Sequence, residues 1–112
     1  MTLAQQLQVQ RFNASALRRG VSVRLHPAGP LFTALVQSVP QEEAAYSVSK
    51  ETRNFSRVFI LRSAINADGV PDILIGATFI NQETQESYRV ASYDDNAADV
   101  RVIYHCETSS AN

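Results

Sequence analysis

The feature that most constrains the fold is a strict alternation of side chains near the end of the chain, at residues 100–107. The apolar members of the alternation share one face, and they are Val100, Val102, Tyr104 and Cys106. The opposite face takes Arg101, His105 and Glu107. A period of two residues is typical of a half-buried β-strand, so the sequence predicts a strand here.

Shorter apolar stretches precede this strand and are separated by polar turns. They lie at residues 72–76, 79–80 and 87–93, and polar turns are expected at residues 81–86 and 94–96. No helical spacing falls between them. Short strands joined by such turns indicate an antiparallel meander.

Three more strands are predicted earlier in the chain. Residues 21–26 alternate between apolar and polar side chains, and the segment 27–30 ends this strand because proline cannot donate to a sheet ladder. Residues 31–38 are predicted to form a second strand, in a hairpin with the first. Residues 55–63 are apolar on both faces, so that strand needs either a central position or a partner on one side.

An amphipathic helix is predicted over residues 2–19. Apolar residues recur there mostly three to five positions apart, at Leu3, Leu7, Val9, Phe12, Ala16 and Leu17. Thr2 can cap the first turn and Gly20 can end the helix. The basic side chains Arg11, Arg18 and Arg19 are either solvated near the helix C-terminus or form a contact patch for a partner.

A polar segment at residues 37–54 interrupts the strand pattern. Loops of this length without structure of their own are uncommon in a small domain, and are usually functional or disordered. The segment is therefore either a mobile surface loop or one that becomes ordered when a neighbouring subunit supplies apolar surface. In the second case its anchors would be Tyr46, Val48 and Phe55.

The length and charge of the chain limit its class. A chain of 112 residues can bury a single core. The sequence predicts one domain over residues 1–112, with a helix at 2–19, a β body at 21–107 that contains the loop 37–54, and a frayed tail at 108–112. A net charge of −1 gives no reason to expect tight binding to nucleic acid. The first ten residues carry neither a basic leader nor a long apolar run, so we expect no secretory signal and no membrane anchor.

No catalytic constellation is apparent in the sequence. Serine elbows, phosphate loops and zinc-ligand spacings are all missing, so we expect no enzyme, no metal site and no cofactor. Cys106 is expected to be an inert core thiol, with His105 on the opposite face of its strand. An alternative function is a small ligand-binding β-barrel whose pocket is lined by Tyr88, Tyr93 and Tyr104.

The order of these parts resembles the small head-tail joining proteins of tailed bacteriophages, also called head-completion or stopper proteins. The similarity comprises an N-terminal helical segment, a β pair, a long polar loop, and stretches at residues 57–62, 75–79, 86–90 and 100–107. Members of that family often close with a glycine-containing turn, a Tyr-Arg-Val-like strand and a last strand ending near a cysteine or an acidic residue. Tail terminator and tail completion proteins of the same particles are similar in size and stay open as alternatives.

The resemblance implies a small antiparallel β-barrel or sandwich with one N-terminal helix and a long flexible loop. It implies a structural virion protein of the phage neck, assembled in the host cytoplasm as a homo-oligomeric ring. Such rings commonly have six or twelve subunits. The ring would lie between a portal or adaptor protein and a tail tube or tail terminator protein.

Further expectations about contacts follow from the resemblance. DNA would pass through the lumen of the ring without sequence-specific binding, and no catalytic residue carries over from the family. Glu42 and Glu43 would face the lumen or pair with the adjacent subunit. The complete set of expected subunit or partner contacts is Gln41, Glu42, Glu43, Tyr46, Val48, Arg53, Phe55, Arg11, Arg18 and Arg19.

Overall fold

A computed structural model describes residues 2–39, 54–96 and 99–109 of the chain. These residues form α1 (Leu3–Arg19), β1 (Val21–Leu25), β2 (Leu31–Val39), β3 (Asn54–Leu61), α2 (Arg62–Ile65), β4 (Thr78–Asn81), β5 (Ser87–Asp94) and β6 (Arg101–Ser109). The prediction of a mainly β fold with an N-terminal helix is confirmed.

The six strands close into an antiparallel barrel in the order β1, β2, β3, β6, β5, β4. The first three strands form one meander and the last three form another. Pairing of β3 with β6 and of β1 with β4 joins the two meanders. Each described strand is therefore paired with a neighbour on both sides over part of its length, whereas residues 35–39 of β2 and 92–94 of β5 are paired on one side only.

The interior of the barrel is filled by side chains that alternate inward along the strands. The most completely buried large side chains are Val23, Val58, Ile60, Phe79, Val90 and Cys106. Phe79 lies at the centre, where its ring meets Phe32 at a centroid distance of 6.2 Å and Tyr104 at 5.4 Å. The predicted apolar face of the last strand is confirmed, since all four of its members are buried.

One predicted strand is wrong. Residues 72–76 form a loop, in which Ile73 is buried while Leu74 and Ile75 are exposed. Gly76 has a φ angle of 94°, a left-handed conformation that ends extended structure and favours glycine. The run therefore turns toward β4 without pairing as a strand.

Two element boundaries differ from the prediction by two residues. The third strand stops at Leu61 and the chain enters the short helix α2, whereas the sequence favoured a strand to residue 63. The last strand continues to Ser109, so the predicted frayed tail at 108–112 begins too early. Thr108 is held because it lies opposite both Asn54 and Tyr88 in the sheet.

Helix α1 begins with reciprocal capping bonds and ends where the sequence predicts. The Gln5 amide donates to Thr2 Oγ1 at 3.2 Å, and the Thr2 amide donates to Gln5 Oε1 at 3.0 Å. A Cβ atom at Gly20 would lie 2.4 Å from the carbonyl oxygen of Ala16. Glycine is therefore needed where the helix turns into β1.

The apolar residues of α1 do not share one face. Phe12 is buried, whereas Leu3, Leu7 and Leu17 are exposed. At about 100° of rotation per residue, these leucines lie on the side of the helix opposite Phe12. The helix therefore packs through Phe12, with Val9 and Ala16 half-buried on the same side, and presents its leucines to solvent.

Candidate interaction surface

The predicted contact residues divide into two groups. Arg11, Arg18, Arg19 and Phe55 are described by the structure. The other six lie outside the described residues, and they are Gln41, Glu42, Glu43, Tyr46, Val48 and Arg53. The candidate surface is therefore built from the first group.

The three arginines of α1 line a cleft between the helix and the outer face of the barrel. The cleft consists of two adjoining cavities of about 600 Å³ and about 280 Å³, with Leu35 and Arg101 bordering both. Arg18 and Arg19 border the larger cavity and Arg11 borders the smaller one. We call this feature the arginine cleft.

The floor of the arginine cleft is apolar because β2 and β3 carry apolar side chains on their outer faces. Leu35 on β2 lies opposite Phe59 on β3, and both line the larger cavity. Ala14 and Ser15 are the helix residues above this floor, and their short side chains leave the space unfilled. The two apolar faces of β3 noted in the sequence are thus covered by the core and, in part, by α1.

Arg101 is fixed within the arginine cleft by neighbours. Its guanidinium carbon lies 5.2 Å from the centre of the Phe59 ring, and its Nε atom lies 3.5 Å from Asp99 Oδ1. Asp99 Oδ1 also accepts a hydrogen bond from the Arg101 amide at 3.0 Å. Burial alone would raise the pKa of Asp99, but these bonds and the charges of Arg101 and Arg62 lower that pKa below its usual value.

Among the described residues, the arginines of α1 have no contacts like those of Arg101. Arg11, Arg18 and Arg19 are exposed, and none of them forms a hydrogen bond or ion pair with another described residue. Guanidinium groups bind carboxylates and phosphates through paired hydrogen bonds. The arginine cleft is therefore suited to a partner that presents carboxylates beside apolar side chains.

Phe55 lies apart from the arginines. It is half-buried on β3, opposite Val39 on β2 and Glu107 on β6. It borders a shallow cavity of about 320 Å³ that also involves Arg57 and His105. The four predicted contacts within the described residues thus lie on two separate surfaces.

The three tyrosines proposed for a ligand pocket do not come together. Tyr88 is buried, and its hydroxyl accepts a hydrogen bond from Asn81 Nδ2 at 3.2 Å. Tyr93 and Tyr104 border a cavity of about 210 Å³ at one end of the barrel, from which Tyr88 is absent. Their separation removes the main support for a tyrosine-lined ligand site.

Cys106 and His105 occupy opposite faces of β6, as the alternation predicts. The Cys106 thiol is buried and donates a weak hydrogen bond to the Tyr104 carbonyl at 3.6 Å. Burial raises the pKa of Cys106 to about 12. His105 lies on the outer face, with Nε2 2.9 Å from Asp94 Oδ2. The thiol is therefore protonated at neutral pH and has no histidine to activate it.

We expect Cys106 to resist thiol reagents in the folded protein. A rise in pKa from 9.0 to about 12 lowers its thiolate fraction at pH 8 by about a thousandfold, and burial further blocks access. Labelling with a chromogenic disulfide reagent should be slow in native buffer and fast in concentrated urea. Native labelling at the urea rate would show that the thiol is accessible.

The structure also identifies neighbours to which the sequence assigned no role. Arg101, Asp99 and Phe59 border the arginine cleft together with the helix. The alternation placed Arg101 on the outer face of β6, but the position of the helix over that face depends on long-range packing. The local pattern of each segment therefore does not predict that these three residues lie beside the helix.

The described residues also bear on metal sites and membrane-spanning segments. They contain no group of three or more His, Cys, Asp or Glu side chains that could hold a metal ion. In the same part of the chain, no helix combines the length and apolar character needed to cross a membrane.

Comparison with known proteins gives no assignment. No protein-family profile matches the chain, and no curated protein shows significant similarity to it.

Proposed function

We propose that this chain is a structural virion protein of the phage neck. In this proposal it forms a homo-oligomeric ring that joins the portal or adaptor protein of the DNA-filled head to the tail. The observation that carries the proposal is a closed barrel with a filled interior, whose exposed apolar and basic groups on the outside have no partner among the described residues. Such a molecule is built to contact other proteins through side chains.

The resemblance in the order of parts supports the same assignment. The helix, the β pair, and the strands that follow the polar segment lie in the order expected for head-tail joining proteins. Exposed leucines on α1 and the exposed arginines that border the arginine cleft supply surfaces for neighbours. A small ligand-binding barrel has less support, because large side chains fill the interior.

The charge of the chain supports passage of DNA through the ring. Tight binding to a phosphate backbone requires many cationic contacts, and the chain has a net charge of −1. A ring of such subunits would allow DNA to move through its lumen. In this arrangement, the arginine cleft faces a protein partner and not the DNA.

Deletion of the reading frame from the genome that carries it tests the proposal. DNA-filled heads and finished tails should then accumulate separately, and electron microscopy of the lysate would show them. Purified protein added to that lysate should restore joined particles, whereas a heat-denatured sample should not.

Other outcomes of the deletion separate the alternatives. Tails of irregular length would indicate a tail terminator or tail completion protein. A normal yield of joined particles would overturn the neck assignment altogether.

A further inference from the structure

The outward side of α1 carries a row of leucines that nothing in the described chain covers. Leu3, Leu7 and Leu17 are exposed to 72%, 47% and 91%. Their spacing of four and ten residues places them on one side of the helix, where the exposed Gln10 separates Leu7 from Leu17. We call these three leucines the leucine face. Exposed leucines grouped on one side of a helix are candidate contacts for a partner.

A second exposed apolar patch lies elsewhere on the molecule. Leu74, Ile75 and Tyr93 are exposed to 65%, 66% and 45%. The Gly76 amide donates to the Val90 carbonyl at 2.8 Å, which ties the loop carrying Leu74 and Ile75 to β5. We call these three residues the loop patch. Because the loop is hydrogen-bonded to the barrel, the patch is a preformed surface.

The two surfaces lie against opposite sets of strands, and the loop patch extends to the cavity at the end of the barrel that Leu74 and Tyr93 border. The helix packs over β2 and β3, since its cleft is floored by Leu35 and Phe59. The loop patch lies beside β4 and β5, through Ile75 and Tyr93. In the closed strand order, β2 and β3 lie across the barrel from β4 and β5. One copy can therefore use both surfaces at once with two neighbours.

The charges beside the two surfaces are opposite. Helix α1 contains Arg11, Arg18 and Arg19 and no acidic residue. The segments that carry the loop patch, residues 66–76 and 91–96, contain four aspartates and no basic residue. These aspartates are Asp68, Asp72, Asp94 and Asp95.

Part of the acidic charge is already paired within the chain. Arg62 forms an ion pair with Asp95, and Asp94 contacts His105. Asp72 borders the same cavity as Leu74 and Tyr93, and it has no hydrogen bond or ion pair with any described residue. The loop patch therefore keeps acidic charge available for a basic partner surface.

We propose that the leucine face of one copy packs on the loop patch of a second copy. The contact is heterologous, because it joins two different surfaces, and repetition of it generates a closed ring or a filament. Pairing of two leucine faces is disfavoured, because it would bring the arginines of two helices together with no acidic partner. The inference rests on the proposed ring and identifies the contact that would build it.

The contact predicts a specific result from two complementary variants. One variant, L7D/L17D, places charge on the leucine face, and the other, L74D/I75D, places charge in the loop patch. Each keeps one intact surface, so each alone should remain monomeric in sedimentation velocity while the unaltered protein self-associates. An equal mixture of the two should form heterodimers and nothing larger.

Control variants keep the test decisive. All four substituted side chains are exposed, so circular dichroism and urea unfolding should match the unaltered protein. Leu31→Asp changes an exposed leucine outside both surfaces and should leave association unchanged. R11E/R18E should weaken association by at least about tenfold at low salt, and the loss should shrink at high salt.

Several outcomes would overturn the inference. They are a mixture that stays monomeric, self-association of L74D/I75D alone, and an unaltered protein that is monomeric up to about 1 mM. Rings formed by the unaltered protein together with a monomeric mixture would leave the ring intact and refute only this contact. Heterodimers in the mixture together with a normal deletion phenotype would refute only the neck function.

Discussion

Replacing Phe79 with alanine should cost about 3–5 kcal/mol of the free energy of unfolding, the largest stability loss that we expect from a single substitution. The Phe79 side chain is fully buried and contacts the rings of Phe32 and Tyr104. Alanine would remove both ring contacts and leave a cavity at the centre of the barrel. Domains of this size have a total stability of about 5–15 kcal/mol, so a substantial loss of folded protein is expected on mild heating.

Urea unfolding followed by circular dichroism measures this loss. Phe55→Ala is the matched control, because it removes the same side chain from a half-buried position on the outer face of β3. Its midpoint should shift much less. Equal shifts for the two variants would mean that the central aromatic cluster does not dominate the stability of the barrel.

Replacing Asn81 with leucine should cost about 1–3 kcal/mol, because the groups that bond to its side chain lose their hydrogen-bond partner. Asn81 Oδ1 accepts hydrogen bonds from the backbone amides of Glu83 at 2.9 Å and Thr84 at 3.2 Å, and Asn81 Nδ2 donates to the Tyr88 hydroxyl. Leucine has similar volume but satisfies none of these groups. The buried Tyr88 hydroxyl would then lack its partner.

A double-variant cycle with Tyr88→Phe tests the cause of that loss. In the double variant, the Tyr88 hydroxyl that lacks a partner is removed. The double variant should therefore lose less free energy of unfolding than the sum of the two single variants. Simple additivity in urea unfolding would show that the Asn81 amide and the Tyr88 hydroxyl do not act together.

Local patterns were sufficient to predict several elements of this fold. The alternation in β1 and β6, the Thr2 cap and the Gly20 stop all depend on residues close together in the chain, and each is present. The apolar run at residues 72–76 failed as a prediction, because a short run fits a strand and a loop equally well. Whether this run forms a strand or a loop depends on Gly76 and on its hydrogen bond to β5, which lies later in the chain.

The sequence did not predict how the sheet closes or which surfaces the helix and barrel form together. The pairing of β1 with β4 joins segments far apart in the sequence, and strand patterns do not specify such partners. The role of Phe12 was hidden for a similar reason. Apolar residues spaced three to five apart suggest one helix face, yet Phe12, with the half-buried Val9 and Ala16, turns to the barrel while the leucines turn away. The outward leucines were visible in the sequence, but their exposure was not.

The two strand ladders that join the meanders and close the barrel are of unequal length. The β3–β6 ladder runs from Asn54 opposite Thr108 to Leu61 opposite Arg101, whereas the β1–β4 ladder spans only Val23–Leu25. Local opening of the native barrel should therefore be easier around β4, whose ladders with β1 and with β5 each pair three residues, than along the β3–β6 ladder.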